Sequence, residues 1–236
     1  MSPRYTKADT LGRVKNKLTK SPEQFYKAAT CLNWKGNVKD DGDYYSEVIA
    51  EYLLKGMLPA FKKIPVITRD KSYKTNHADT GQTASNRHEE KFAKKLKEEG
   101  GLHNRLGQFI DYQMPLKDER TDKAGKIDSV SSNVDESNVY LIELKVLKNK
   151  ETLIRAVLEI YTYHCLVDRK KLLHDFGLNE TTNVKKAVLL TATTQAFKEA
   201  NDLPKRPNLK KLIKMLGVQI FSIGSDRQGC EEIFFQ

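Results

Sequence analysis

Asp128, Glu143 and Lys145 combine hard anionic oxygens with a cation at a spacing that could do chemistry. Glu143 and Lys145 lie two residues apart in the segment Val139 to Val146. Its alternation puts Val139, Leu141, Glu143 and Lys145 on one face and Tyr140, Ile142, Leu144 and Val146 on the other. Both faces are largely apolar, which predicts a central strand covered on both sides. A carboxylate and an ammonium in such a strand are costly unless something uses them. Asp128 ends the apolar part of the preceding segment, and Ser131 to Asn138 is rich in turn formers. A hairpin is expected there, bringing Asp128 beside Glu143 and Lys145. The paired carboxylates are suited to Mg²⁺, with Mn²⁺ as a substitute. Such a metal lowers the pKa of a bound water and neutralises charge on a phosphate. The lysine would orient or deprotonate that water, or steady pentavalent phosphorus. The plain alternative is a set of solvated strand-end charges.

The flanking elements must hold this group in place. A helix is expected over about Ala84 to Glu99, stopped by Gly100-Gly101. Glu89 precedes Phe92, Ala93 and Leu96 by three, four and seven residues, so it faces inward with them, whereas Glu90 faces solvent. His88 shares the Phe92 and Leu96 side. Phe109 to Met114 reads as the first strand, Asp118 to Lys123 as a charged loop, and the two strands of the hairpin follow. The next helix, Glu151 to Val167, is apolar on most sides. Its polar stripe is Arg155, Glu159 and Tyr163, four residues apart. That stripe is either an Arg–Glu pair with a boundary tyrosine or part of the site. A strand at Val184 to Thr191, a helix at Asn208 to Leu216, and strands at Val218 to Ile223 and Glu231 to Phe235 complete the core.

The order helix, three strands, helix, strand, helix, strand, with Asp128 and Glu143-Leu144-Lys145 on the hairpin, resembles the PD-(D/E)xK nuclease superfamily. Ile127, not Pro, stands before Asp128. The resemblance covers about Gly81 to Ile223. It implies a restriction-endonuclease-like α/β core, a central mixed β-sheet flanked by helices. It also implies metal ligation by Asp128, Glu143, the Leu144 carbonyl and Glu89, with Lys145 acting on the water. Exonuclease-type members carry Gln-x-x-x-Tyr on the helix after the E-x-K strand. Here Glu159 and Tyr163 hold those places, with Glu for Gln, and His88 is similar to a histidine found in such members.

The chain has 236 residues and a formal charge of +10, which points to a polyanionic partner, although a basic soluble protein has the same composition. Cys31, Cys165 and Cys230 are far apart and odd in number, with no metal-binding or disulfide pattern. A reducing cytoplasm is expected. No apolar run reaches membrane length and no signal-peptide core is seen. Residues 1–80 read as a mainly helical N-terminal region and 81–236 as the nuclease-like core. The first twenty residues are strongly basic, a nucleic-acid arm or a solvated terminus. Helices are expected after Ser21-Pro22-Glu23 and over Tyr44 to Met57, with a short strand at Lys62 to Arg69. His77, His103 and His174 have no partner at ligand spacing, and His164 and Cys165 fall on the core side of their helix.

Lys148 and Lys150 follow the active strand, and Lys205, Arg206, Lys210, Lys211 and Lys214 form a basic stretch without an acid. Lys148, Lys150, Arg155, Lys210 and Lys211 are candidate phosphate contacts, sequence-blind and salt-sensitive. A solvated helix face accounts for the Lys210 group equally well. The function expected is a Mg²⁺-dependent nuclease, in the first place an endonuclease on double-stranded DNA, with a homodimer as one assembly and no membrane. An exonuclease, an RNA substrate, and a non-catalytic nucleic-acid-binding module on the same fold stay open.

Overall fold

The structure, a computed structural model, describes residues 5–77, 88–100, 102–118, 125–224 and 230–233. A seven-stranded mixed sheet runs in chain order. The strands are β1 (Leu102–His103), β2 (Gly107–Pro115), β3 (Lys126–Ser132), β4 (Asn138–Lys145), β5 (Asn183–Thr191), β6 (Val218–Ile223) and β7 (Cys230–Glu232). β1 to β4 pair antiparallel, β4, β5 and β6 pair parallel, and β7 closes antiparallel on β6. Helices flank both faces, so the molecule is α/β.

β4 behaves as its alternation predicts. Tyr140, Ile142, Leu144 and Val146 join Ala93 and Leu96 of helix α5 (His88–Glu99) in one cluster. Val139 and Leu141 join the other cluster, with α6 (Leu153–Leu166) and α9 (Pro207–Leu216). The hairpin between β3 and β4 closes through its polar turn. Asn138 N–H donates to Asn133 Oδ1 at 2.8 Å, and Ser137 N–H to Asp135 Oδ1 at 3.1 Å. Asn and Asp favour this turn because their side chains satisfy the backbone locally. Residues 84–87 of the expected first core helix and 119–124 of the charged loop lie outside the described residues, as do 234–236 at the end of the last strand.

The N-terminal region corrects several expectations. Most of the basic start is not frayed: α1 (Lys7–Lys20) is a helix with Thr10, Val14 and Leu18 buried, and residues 1–4 lie outside the described residues. Thr6 and Asp9 cap each other's backbone N–H groups. After Ser21 comes a 3₁₀ turn, Pro22–Lys27, and then a separate α2 (Ala29–Leu32), because Ala28 leaves helical geometry at ψ 62°. Adjacent Phe25 and Tyr26 are both buried. α3 (Tyr45–Tyr52) leads to a wide turn broken at Gly56, with φ 138°, before α4 (Leu58–Phe61). Lys62 to Arg69 is not a strand. Ile67 makes one bridge to Val167 and donates its N–H to Leu166 O at 2.7 Å, and neighbouring Pro65 has no N–H for a ladder. Two short helices, α7 (Arg169–Phe176) and α8 (Gln195–Asn201), were not expected.

The N-terminal helices and the α6 face of the sheet share one core, continuous from Val14, Phe25 and Leu53 to Leu141, Val157 and Ile220. Among the described residues no helix is long and apolar enough to cross a membrane. Glu47 of α3 caps α9, accepting from Asn208 N–H at 2.9 Å and Leu209 N–H at 2.8 Å. Two charge-assisted bonds at a helix N-terminus predict that Glu47→Ala costs about 2–3 kcal/mol. Urea unfolding should register this as a lower midpoint at unchanged slope.

Candidate active site

β3 and β4 pair up to Ser129 and Ile142 and then diverge. At the divergence Asp128 takes over from the ladder: its Oδ2 accepts the Leu144 N–H at 2.9 Å. Its Oδ1 accepts from Gln113 Nε2 at 3.2 Å, and Gln113 holds a left-handed φ of 51° on β2. Asp128 is half-buried, whereas Glu143 and Lys145 are 3% and 5% exposed. Lys145 Nζ lies 2.6 Å from Glu143 Oε1, 2.6 Å from Glu151 Oε2 and 3.6 Å from Glu159 Oε2.

Two hydrogen-bonded arms extend from this centre. Tyr163 OH donates to Glu159 Oε1 at 2.9 Å, one turn along α6. On the other side Glu151 N–H donates to Asn149 Oδ1 at 2.8 Å, and Asn149 Nδ2 donates to Glu89 Oε1 at 2.8 Å. The carboxylate of Glu89 therefore reaches the site from α5, and its charge acts on Asp128.

Burial pushes the Asp128 carboxyl up to about 7, against the pull of Lys145 and the Leu144 N–H. Burial, with Asp128 and Glu159 nearby, also pushes Glu143 well above the usual carboxylate range. Burial opposes the charge on Lys145, but Glu143, Glu159, Glu151 and Asp128 outweigh it and hold the amine well above its ordinary value. Lys145 is thus an ammonium. The Tyr163 phenol is raised far by burial and by Glu159, so it stays a neutral donor.

The expected residues divide by their surroundings. Asp128, Glu143, Lys145, Glu159, Tyr163 and Glu89 come together. Leu144 contributes its N–H, with its side chain in the core. His88 is exposed at the first turn of α5. Arg155 does not present an open cation: its Nη1 pairs with Glu151 Oε1 at 2.7 Å, and its Nε is buried without a partner among the described residues. Lys148 and Lys150 are exposed on the loop leaving β4. On α9, Lys211 is exposed and Lys210 half-buried. Asp202, just before the Lys205 and Arg206 stretch, pairs with its start, 3.0 Å from Lys205 Nζ and 3.6 Å from Arg206 Nε.

Sequence reasoning missed Gln113, Asn149 and Glu151. It also missed that His77 has a partner. His77 Nε2 lies 2.7 Å from Asp111 Oδ1, and the ring stacks on Tyr112 at 3.7 Å. Thr75 donates its N–H to Asp111 as well, at 2.8 Å. His164, expected in the core, is buried, with Nε2 3.0 Å from Val184 O.

Among the described residues no three His, Cys, Asp or Glu side chains form a ready cage for a metal. Mg²⁺ does not need one. It takes one or two carboxylates and completes its shell with water and substrate phosphate. Asp128 and Glu143, carboxyls close enough to act on each other, fit that demand. No protein-family model, curated protein or solved structure matches this chain.

Asp128 titrates higher folded, at about 7, than its ordinary 3.8. A raised folded pKa gives stability that is complete below the unfolded value and is lost as pH rises through the folded one. In EDTA, wild type should therefore lose about 3 kcal/mol relative to Asp128→Asn between about pH 4 and about pH 7. Urea titrations across that range would measure it, and Mg²⁺ added at the upper end should close the gap.

Proposed function

We propose that this chain is a metal-dependent nuclease of the PD-(D/E)xK, restriction-endonuclease-like type, hydrolysing phosphodiester bonds in DNA as an endonuclease. One observation carries the reading: Asp128 and the Glu143–Lys145 pair meet where β3 and β4 part. There Leu144 N–H is 2.9 Å from Asp128 and the ammonium is 2.6 Å from Glu143.

Asp128, Glu143 and the Leu144 carbonyl, with Glu89 behind them, would hold Mg²⁺, and Mn²⁺ would substitute. When bound, the metal supplies a water of lowered pKa and neutralises phosphate charge. Lys145 works as a fixed cation in this reading, since Glu143, Glu151 and Glu159 keep its proton on. Its N–H groups would orient the attacking water and stabilise negative charge as phosphorus becomes pentavalent. Glu151 and Glu159 hold that ammonium in place. A 5′-phosphate product is what membership would imply. Free Cys31 and Cys165 go with a reducing, cytoplasmic setting.

An exonuclease of the same superfamily is the second reading, favoured by the contact of Tyr163 with Glu159 beside Lys145. Purified protein with Mg²⁺ should nick supercoiled plasmid as well as cut linear duplex. Activity on linear duplex alone would move the assignment to the exonuclease. EDTA should abolish cleavage, and Lys145→Ala should lower it about 10³-fold. Asp128→Ala should bind duplex and leave it intact. Salt-sensitive binding without cleavage of any DNA or RNA by wild type would leave only a binding module.

Exposed Lys148 and Lys150 stand on the loop leaving the site. Replacing both with Ala should weaken duplex binding regardless of sequence. The slope of log affinity against log salt should fall by about 2. Fluorescence anisotropy at several salt concentrations would measure it.

A further inference from the structure

Tyr26 reaches the site from outside the sheet and its helices. It lies in the 3₁₀ turn Pro22–Lys27, is 2% exposed, and packs edge-on against Tyr163 with ring centroids 5.2 Å apart. Its hydroxyl is buried and makes no well-aligned hydrogen bond among the described residues, and the group within reach of it is the Tyr163 hydroxyl. A buried O–H left unpaired costs about 1–3 kcal/mol, so such a group in a folded protein calls for an explanation.

The surroundings supply one. Tyr163 gives its own proton to Glu159, which leaves its phenol oxygen free to accept. Gly125 lies against the Tyr163 hydroxyl: a Cβ built on it would come within 2.4 Å of that oxygen. Gly125, at φ 86°, therefore leaves the phenol room where a side chain would displace it. Glu159 and Glu143 both act electrostatically on the Tyr26 phenol, which places it at the margin of the acidic group. The turn carrying Tyr26 is anchored nearby, since Thr152 Oγ1 at the head of α6 donates to Leu32 O.

We propose that Tyr26 is a positioning residue of the site, its O–H donating to the Tyr163 oxygen in a relay from Tyr26 through Tyr163 and Glu159 to Lys145. This rests on the nuclease reading for its catalytic consequence. If Glu143 serves a cation, Glu151 and Glu159 are left to hold the Lys145 ammonium. Glu151 is the closer, at 2.6 Å, and Glu159, at 3.6 Å, is the second anchor that completes the ammonium's orientation. A donor behind Tyr163 polarises the Tyr163 O–H and strengthens its grip on Glu159. The mainly helical N-terminal region is then part of the catalytic unit.

Tyr26→Phe keeps the ring and removes the hydroxyl. The first test is a double-mutant cycle with Tyr163→Phe, read by urea unfolding without substrate or metal. The relay predicts that Tyr26→Phe lowers the folding equilibrium constant about fivefold, and that the two changes are non-additive by a similar factor. A neutral or stabilising Tyr26→Phe that adds independently to Tyr163→Phe overturns the relay. The second test is cleavage kinetics: kcat should fall about tenfold with KM unchanged, whereas a packing role would leave both as they are. Unchanged kcat in a cleaving wild type overturns the positioning role and spares the nuclease reading. Coupling in the cycle with no cleavage by wild type overturns the nuclease reading and the catalytic role together, and leaves the relay as a structural one.

Discussion

A charged amine, 5% exposed, sits in the middle of this protein, and the surrounding elements are arranged to make that tolerable. Desolvating an ammonium costs several kcal/mol, which only close, well-oriented anions offset. Lys145 has two at 2.6 Å and a third at 3.6 Å, supplied by three separate stretches. Glu143 comes from the same strand face, Glu151 from the loop that turns back after β4, and Glu159 from α6. The loop has to bend sharply to bring Glu151 round. Leu147 adopts φ 55°, a left-handed conformation that costs a non-glycine residue about 1 kcal/mol or more. The bend is held by Thr193 Oγ1 donating to Leu147 O and by Gln195 N–H donating to Asn149 O at 3.0 Å. α8, a short helix with no residue in the acidic group, thus fixes the loop that completes it.

The charge distribution has two scales. The chain as a whole carries +10, but around Lys145 acids outnumber bases. Exposed Lys148 and Lys150 can draw a polyanion to the surface by long-range attraction. A polyanion drawn there would meet Asp128, Glu143 and Glu89 at the site. A basic exterior over an acidic centre is a conflict for anion binding alone. It resolves if a cation sits between the carboxylates and the phosphate, so the nuclease reading and the metal stand or fall together.

How much could be read from the chain depended on whether a contact was local. Glu143 and Lys145 were legible because a two-residue period is short and both faces of β4 are apolar. Asp128 followed from the turn formers between the strands, and Glu159 with Tyr163 from one helical turn. Glu151 was not legible as a partner of Lys145. Its i to i+4 spacing to Arg155 could be read, but the loop that returns it to β4 depends on a left-handed Leu147 that no composition announces. Asp111 and His77 are 34 positions apart and meet only because residues 75–77 lie along β2. α1 was obscured by its lysines, although Thr6 with Asp9 and the spacing of Thr10, Val14 and Leu18 were there to be read. Short α7 and α8 offered too few turns for a period, yet Asp168 and Gly177 at the ends of α7 are ordinary cap residues.

The mainly helical N-terminal region packs into the same hydrophobic cluster as the core it precedes. Phe25, Tyr26 and Leu32 cover the same cluster as Val157, Ile160 and Tyr163. Polar ties join the two regions too: Arg206 Nη1 donates to Ser46 Oγ at 2.6 Å and its guanidinium lies 3.9 Å over the Tyr44 ring, while Glu47 caps α9. Buried donors and acceptors of this kind are expensive to leave unpaired, so the N-terminal helices cannot open without exposing both apolar surface and unsatisfied polar groups. α6 lies between these helices and the sheet, and it carries Glu159. Any loosening of the N-terminal helices is therefore transmitted to Glu159, 3.6 Å from Lys145 Nζ, which makes them structural determinants of the site's geometry even where they contribute no group to it.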